Sequence, residues 1–278
     1  MATTTIGRRG KDIVVGHSGT TFVTRAQSFQ VTKEIPTTNA YELGTTEATG
    51  AFQDSTRYRG TLTRFSVDAA LETAFGGGTA DLESMIETDG ISIICGQFGI
   101  SDAKFTSVAY TGRVDGWATE TWNFIGSSGS TGTVTATTPV SGAAGSRHPK
   151  MTFAVNGTTA VRAQGYSIRA AARGNELSEL NNASIVGTVY DQPTIDIDLD
   201  WVSSGSIAGN TELALGSSGS IVVTLKDASD TTTKIITVQH CITDGTTDNA
   251  TVSGWATESV SYTSACDTID AGLTVTTA

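Results

Sequence analysis

The chain has 278 residues, a formal net charge of −11 and only 16% charged residues, together with 31 glycines and 4 prolines. This acidic balance argues against a general affinity for nucleic acids or anionic membranes, because both depend on clusters of Lys and Arg. The abundance of Gly, Thr and Ser and the scarcity of strong helix formers favour short β-strands joined by tight turns.

The cysteines and the N-terminal segment predict the cellular environment. Cys95, Cys241 and Cys266 form no C-x-x-C pair and cannot all pair within one chain, so a disulfide framework is not expected. Residues 1–10 lack the apolar core of a signal peptide, and no run of apolar residues is long enough to span a membrane. We therefore expect a soluble product of a reducing cytoplasm with no membrane association.

Short sequence blocks occur twice along the chain, in the same order and at nearly the same offset. RAQSF at 25–29 returns as RAQGY at 162–166, 137 positions later, and GWATE at 116–120 returns unchanged at 254–258, 138 positions later. The same two offsets relate Glu42-Leu43 to Glu179-Leu180 and the GTT at 19–21 to the GTT at 157–159. Four blocks in one order predict a tandem duplication.

The duplication divides the chain into three segments. Residues 1–126 form the first copy, residues 147–278 form the second, and the Gly/Ser/Thr-rich stretch at 127–146 is typical of a flexible or extended linker. The copies differ mainly in one loop, where residues 44–59 of the first copy stand opposite residues 181–186 of the second. The first copy thus carries ten extra residues there.

Alternating residue types predict β-strands in both copies. The segment 25–31 alternates in this way, as does its counterpart at 163–169. The segment 117–124 is predicted to place Trp117 on one face, with Ala118, Glu120, Trp122 and Phe124 on the other. We interpret Trp117 and its repeat equivalent Trp255 as packing residues rather than ligand platforms, because large aromatic side chains dominate burial in cores and interfaces.

Each copy is also predicted to contain one short helix. In the first copy, Asp81 can cap a helix that carries Leu82, Met85 and Ile86 at helical spacing before Gly90. In the second copy, the helix is expected just before Gly219. The fold class is therefore mainly β, with two tandem domains that are β-sandwiches or partial barrels.

The most distinctive acidic feature is the segment 195–201, IDIDLDW. As a strand it places Asp196, Asp198 and Asp200 on one face and apolar residues on the other. A calcium loop is excluded, because Trp201 stands where such a loop needs Gly and Ile207 where it needs Glu. Two interpretations remain, namely a solvated face, or a face that lines a water-filled channel or a subunit contact.

Searches for catalytic and metal-binding patterns indicate no enzyme and no cofactor. The Gly76-Gly77-Gly78 segment is followed by no Lys-Ser/Thr pair, so we interpret it as a turn rather than a phosphate loop. His240-Cys241 has no second pair at zinc spacing and is assigned a local structural role. No G-x-S-x-G sequence occurs.

The order of these elements resembles the major tail tube proteins of long-tailed bacteriophages and their archaeal-virus relatives. The resemblance rests on RAQSFQVTKEIPTTNAYELG at 25–44, a variable loop, RYRGTLTRFSVD at 57–68, and then a short helix and a closing hairpin. In the second copy, NNASIVGTVYDQPTIDIDLDW at 181–201 is similar to the same region.

This resemblance implies that sheets from six such domains join into an inner barrel and that stacked rings form the tube for genome delivery. Three duplicated chains would form each ring, as a pseudo-hexameric trimer. Its partners would be further copies of itself, other tail proteins at the tube ends, and double-stranded DNA that passes without specific binding. The protein would be assembled in the host cytoplasm and reside in the virion tail.

Within that expectation, two sets of residues are candidate sites. Asp196, Asp198 and Asp200 are candidates for the lumen-facing charge, since an acidic wall lacks the cationic contacts that hold DNA. Asp54 and Arg57, in the longer loop of the first copy, are candidates for contacts between stacked rings. Two other classes stay open, namely another virion β protein, such as a capsid decoration or tail terminator subunit, and a tandem β-sandwich adhesion module of a bacterial surface.

Overall fold

The computed structural model describes residues 15–17, 21–23, 25–40, 50–53, 55–78, 80–87, 90–95, 98–130, 146–147, 150–160, 162–172, 174–178, 185–202, 218–249, 256–264 and 272–277. Within these ranges the chain is mainly β, and most strands belong to one large antiparallel sheet. None of the helices in the described ranges is long and apolar enough to cross a lipid bilayer.

The elements of the first half, up to residue 130, are ten strands and two short helices within the described ranges. They are β1 (Val15–His17), β2 (Thr21–Phe22), β3 (Ala26–Glu34), β4 (Thr37–Ala40), β5 (Gly50–Gln53), β6 (Arg57–Phe65), α1 (Ala70–Phe75), α2 (Leu82–Glu87), β7 (Ile91–Cys95), β8 (Phe98–Arg113), β9 (Thr119–Gly126) and β10 (Gly129–Ser130).

The elements of the second half are strands throughout the described ranges. They are β11 (Met151–Val155), β12 (Thr158–Thr159), β13 (Ala163–Ala171), β14 (Gly174–Ser178), β15 (Ile185–Tyr190), β16 (Thr194–Val202), β17 (Gly219–Lys226), β18 (Thr232–Asn249), β19 (Thr257–Ser264) and β20 (Leu273–Thr277).

The same order of strand pairing occurs in both halves. In the first half the order is β3-β6-β9-β8-β7-β1-β2, and in the second half it is β13-β16-β19-β18-β17-β11-β12. The short strands β10 and β20 pair with β8 and β18, while β4–β5 and β14–β15 form separate two-stranded sheets. The prediction of ten extra residues in the first copy is wrong, because 22 residues separate β3 from β6 and 22 separate β13 from β16. The halves join where β13 pairs with β8, from Gly165 opposite Arg113 to Ala171 opposite Ser107. This junction makes one sheet of 16 strands.

Local irregularities also occur in both halves. Arg25 and Arg162 both have positive φ, at 58° and 61°, immediately before β3 and β13. The next glutamine closes each turn, since Gln27 donates to the Arg25 carbonyl at 3.1 Å and Gln164 to the Arg162 carbonyl at 3.3 Å. Pairing of β3 with β6 and of β13 with β16 shifts register just after these turns.

Burial alternates along the strands as the sequence predicted. In β16, Ile197 and Leu199 are buried while Asp196 and Asp198 are exposed. Glu120 and Trp122 are buried in β9. The predicted strand boundaries are shifted, because Arg25 belongs to the preceding turn and β9 begins at Thr119.

The helix predicted from Asp81 is confirmed as α2. A carboxylate oxygen of Asp81 accepts the Ser84 backbone N–H at 2.8 Å, which caps the helix, and Leu82 and Met85 are buried. The first half contains two helices where one was predicted, because α1 packs Phe75 flat against Trp122, with ring centroids 5.4 Å apart. The helix predicted before Gly219 falls at residues outside the described ranges.

The buried apolar side chains form one cluster that extends through both halves. In the first half it contains Phe75 and Trp122, and in the second half Trp201 lies 6.3 Å from Phe153 between ring centroids. The C-terminal strand β20 reinforces this continuity, since Val275 donates its N–H to Ala80 of the first half at 2.8 Å. The two halves therefore share a core.

Candidate functional site

Eight neighbouring strands form a continuous part of the sheet, here called the arc, in the order β3-β6-β9-β8-β13-β16-β19-β18. Its side away from the core, here called the polar face, carries mainly short polar and charged residues. Cross-strand register places these residues on that face: Gln30, Thr32, Glu34, Arg57, Arg59, Thr61, Thr63, Ser107, Thr111, Arg113, Thr119, Thr121, Asn123, Ser167, Arg169, Asp196, Asp198, Asp200, Ser259, Ser261 and Thr247.

Hydrogen bonds between neighbouring strands fix the side chains of the polar face. Thr61 donates to the Asn123 side chain at 2.9 Å, and Asn123 donates in turn to the Ser107 hydroxyl at 2.9 Å. The hydroxyls of Thr111 and Thr119 lie 2.9 Å apart. Cross-strand hydrogen bonds of this kind hold the polar side chains of neighbouring strands in place.

The three predicted aspartates lie together on this face. Asp198 accepts a hydrogen bond from Ser261 at 2.6 Å, and Asp200 accepts one from Ser259 at 2.5 Å. Asp196 lies directly opposite Arg169 of β13. The acidic strip is thus a property of the second half, held in place by serines of β19.

The first half of the polar face carries positive charge instead. Arg57 and Arg59 lie on β6, and Arg59 pairs with Glu34 at 3.1 Å, with both side chains about half exposed. Counting the charges named on the face gives four arginines, including Arg113 and Arg169, against Glu34 and the three aspartates. The polar face is therefore divided into basic and acidic regions, whereas the net charge of the whole chain is negative.

The arc ends in two open edges within the described part of the chain. One edge is β3, whose described pairing is with β6 alone. The other edge is residues 245–249 of β18, which pair with β19 on one side only. The corresponding edges inside the chain, β13 and residues 107–113 of β8, pair with each other.

Of the remaining predicted site residues, the structure describes Arg57 and Trp117. Arg57 lies at the start of β6 and is partly buried, while Asp54 and Trp255 lie outside the described residues. Trp117 is 43% exposed, and its ring lies 5.2 Å from that of Phe65 and 5.7 Å from the Arg147 guanidinium.

A buried ionic network, which the sequence did not predict, connects the two halves. Arg64 pairs with Glu120, and Lys234 of the second half reaches Glu120 at 2.6 Å and also contacts Glu72. All four side chains are fully buried. Tyr110 donates to Glu72 at 2.8 Å. In the sequence, the position of Glu120 on the apolar face of its strand was the one indication of this network.

Burial and charge act in opposite directions on the two carboxyl groups of this network. Burial raises the pKa of Glu72 above its ordinary value, although Lys234 and Arg64 oppose the shift. Burial also acts to raise the pKa of Glu120, but the charges of Arg64 and Lys234 outweigh it and lower that pKa. Because these groups are fully enclosed, no substrate reaches them unless the core opens.

Known patterns of metal chemistry are not found among the described residues, where no group of three or more His, Cys, Asp or Glu residues could hold a metal ion. Gly76 to Gly78 form a turn after α1, with positive φ at Gly77 and Gly78, as predicted. Comparison of the chain with protein-family models and with curated proteins finds no match.

Proposed function

We propose that the chain is a tandem duplication of a tail tube domain and that three copies close into a ring, which stacks into the tail tube of a virus. The observation that carries this proposal is the arc with two open edges, whose counterparts already pair inside the chain. Each domain is then a β-sandwich or partial barrel, with the arc as its inner layer.

The duplication is supported by pairing order and by irregularities at equal offsets. The register shift between Phe105 and Ser107 in β8 has its counterpart 138 positions later, between Thr243 and Gly245 in β18. The positive-φ arginines, Arg25 and Arg162, are separated by 137 positions. Such shared defects are features that two unrelated sheets would not be expected to repeat.

The internal junction provides a template for the junction between chains. Arg169 lies opposite Ala109 where β13 meets β8. Applying the two repeat offsets to this pair places Thr32 of one chain opposite Thr247 of the next, and likewise Glu34 opposite Gly245. Pairing in this register would leave neither edge of the arc open, which removes the aggregation hazard of exposed strands.

The size of such a ring suits the passage of DNA. Three chains with eight strands each give a 24-stranded barrel. With strands about 4.8 Å apart and tilted by about 40°, the backbone diameter is about 48 Å. Side chains reduce the open width to about 40 Å, since a layer of side chains takes up about 5 Å on each side. A DNA duplex fits within this width.

The polar face would line the lumen. Cross-strand hydrogen bonds hold hydroxyl and amide groups of this face, and such neutral groups add none of the counterion-releasing contacts that make phosphate binding tight. The aspartates of β16 would add three acidic strips per ring, one from each chain. DNA would pass through the tube during genome delivery without sequence-specific contacts.

Stacking of rings is a heterologous contact, which does not close and therefore produces a filament. The segment between β3 and β6, residues 35–56, which contains Asp54 and is followed by Arg57 at the start of β6, is the proposed stacking element. The corresponding segment of the second half, residues 172–193, has the same length, so any difference in stacking between the halves would come from its residues.

Electron microscopy of the purified protein tests the proposal. Hollow tubes or stacked rings with threefold symmetry are the expected result. Single rings that never stack would favour a terminator or decoration protein of the virion instead. Particles that stay monomeric at high concentration would contradict the proposal.

A further inference from the structure

An arginine-lined groove lies on the polar face near the junction of the two halves. It has a volume of about 820 Å³ and is bordered by strands β6, β8, β9 and β13 and by the start of β14. Arg57, Arg59 and Arg169 line it together with the polar side chains of Asn123 and Asn175. Among the lining residues that the structure describes there is no Asp or Glu.

The basic character of this groove is not required by the duplicated fold. At the offset of 137, Arg57 corresponds to Thr194 and Arg59 to Asp196, while Arg169 corresponds to Thr32. The same sheet positions thus accept a neutral or acidic residue in the other half. Strand pairing therefore does not explain why arginines occupy these three positions.

Three carboxylates of the described residues lie at the border of the groove: Glu34, Asp196, and Asp191, which accepts a hydrogen bond from Asn175 at 3.1 Å. Glu34 contacts Arg59 at 3.1 Å, but the two side chains are 42% and 51% exposed. Exposed ion pairs of this kind are screened by water and add little stability, so a stronger anion can displace the carboxylate. Asp196 faces Arg169 across a strand pair but does not line the groove.

We propose that this groove binds the phosphodiester backbone of nucleic acid. Planar guanidinium groups match phosphate oxygens through paired hydrogen bonds. The inference rests on the proposed lumen and deepens it, because a ring of three chains would then hold DNA at three points. The acidic balance of the chain keeps each contact weak and salt-sensitive, so that DNA is guided without being retained.

The test uses the unassembled chain and a short fluorescent DNA duplex, with binding measured by anisotropy across a salt series. The triple variant Arg57→Gln/Arg59→Gln/Arg169→Gln is compared with Arg113→Gln, which removes an arginine from the same face outside the groove. The wild type should bind at low salt. For each arginine–phosphate pair that the variant removes, the slope of log K against log salt should fall by about 0.9.

Arg113→Gln should bind the duplex as tightly as the wild type does. Inorganic phosphate, added so that its total charge equals that of the duplex, should not displace the DNA. The proposal is overturned if the wild type does not bind duplex, if the triple variant binds unchanged, if Arg113→Gln weakens binding as much, or if free phosphate competes equally. The exposed Arg169 can be changed alone should the triple variant fail to fold. Because the chain is unassembled, these outcomes are independent of ring formation.

Discussion

Lys234 of the second half places its ammonium nitrogen 2.6 Å from Oε2 of Glu120 in the first half, and neither side chain is exposed. The pair connects β18 to β9 across the core that the two halves share. Arg64 and Glu72 complete the network, so two buried cations face two buried carboxylates. This balance makes the relative position of the halves depend on all four residues.

Replacing Lys234 with Met is therefore expected to destabilise the chain strongly. The change leaves Glu72 and Glu120 with a single buried cation, and breaking a buried pair in this way costs about 3–5 kcal/mol. Urea unfolding measures the change in the free energy of unfolding. Lys150→Met is the matched control, because Lys150 pairs with the exposed Asp230 and its replacement should change that free energy little. Equal effects in the two variants would show that the buried network has no special role.

Glu120 should contribute to the pH dependence of the free energy of unfolding. Its pKa is lower in the folded chain than its ordinary value of 4.5, so it contributes stability above that pH, and this contribution is lost as the pH falls through the folded pKa. Glu120→Gln should lower stability at neutral pH and flatten the acid side of the curve. Urea unfolding at a series of pH values checks this. Glu34→Gln, in an exposed pair, should leave the curve unchanged, and a curve for Glu120→Gln as steep as the wild type would refute the assignment.

The acidic strip offers a test of the lumen assignment. Changing Asp196, Asp198 and Asp200 to Lys should leave tube assembly intact, because these side chains point away from the core. DNA ejection should become slower, since cationic side chains on the wall bind phosphates. Ejection from intact variant tubes can be followed by dye uptake on released DNA. An unchanged ejection rate would place this strip outside the lumen.

Local periodicity explains what could be predicted from sequence. The alternation of Ile197 and Asp198 fixes both faces of β16, because adjacent residues on a strand point to opposite sides. The cap at Asp81 was predictable for a similar reason, since its partner Ser84 is only three residues away. The repeated blocks likewise marked the segments whose pairing recurs in both halves.

The features that could not be predicted depend on residues that are far apart in sequence and meet only in the folded chain. The network draws Arg64, Glu120 and Lys234 from three strands that lie far apart in sequence, and no local pattern indicates that they meet. The contact between Gly60 and Phe124 could not be predicted either. The Phe124 ring occupies the space that a side chain at position 60 would need. The pairing of β13 with β8, and hence the template for a ring, also required the arrangement of the whole sheet.

Cysteine cross-linking tests the proposed junction between chains most directly. Directly opposed residues of antiparallel strands have Cα atoms about 4.5–5.5 Å apart, which suits a disulfide. The account predicts that Thr32→Cys/Thr247→Cys, oxidised after assembly, gives a covalent band at the size of a closed trimer. Thr32→Cys/Asp248→Cys, displaced by one residue so that the thiols lie on opposite faces, should not. A ladder of open multimers, or equal linking in both variants, would contradict a closed ring of three chains.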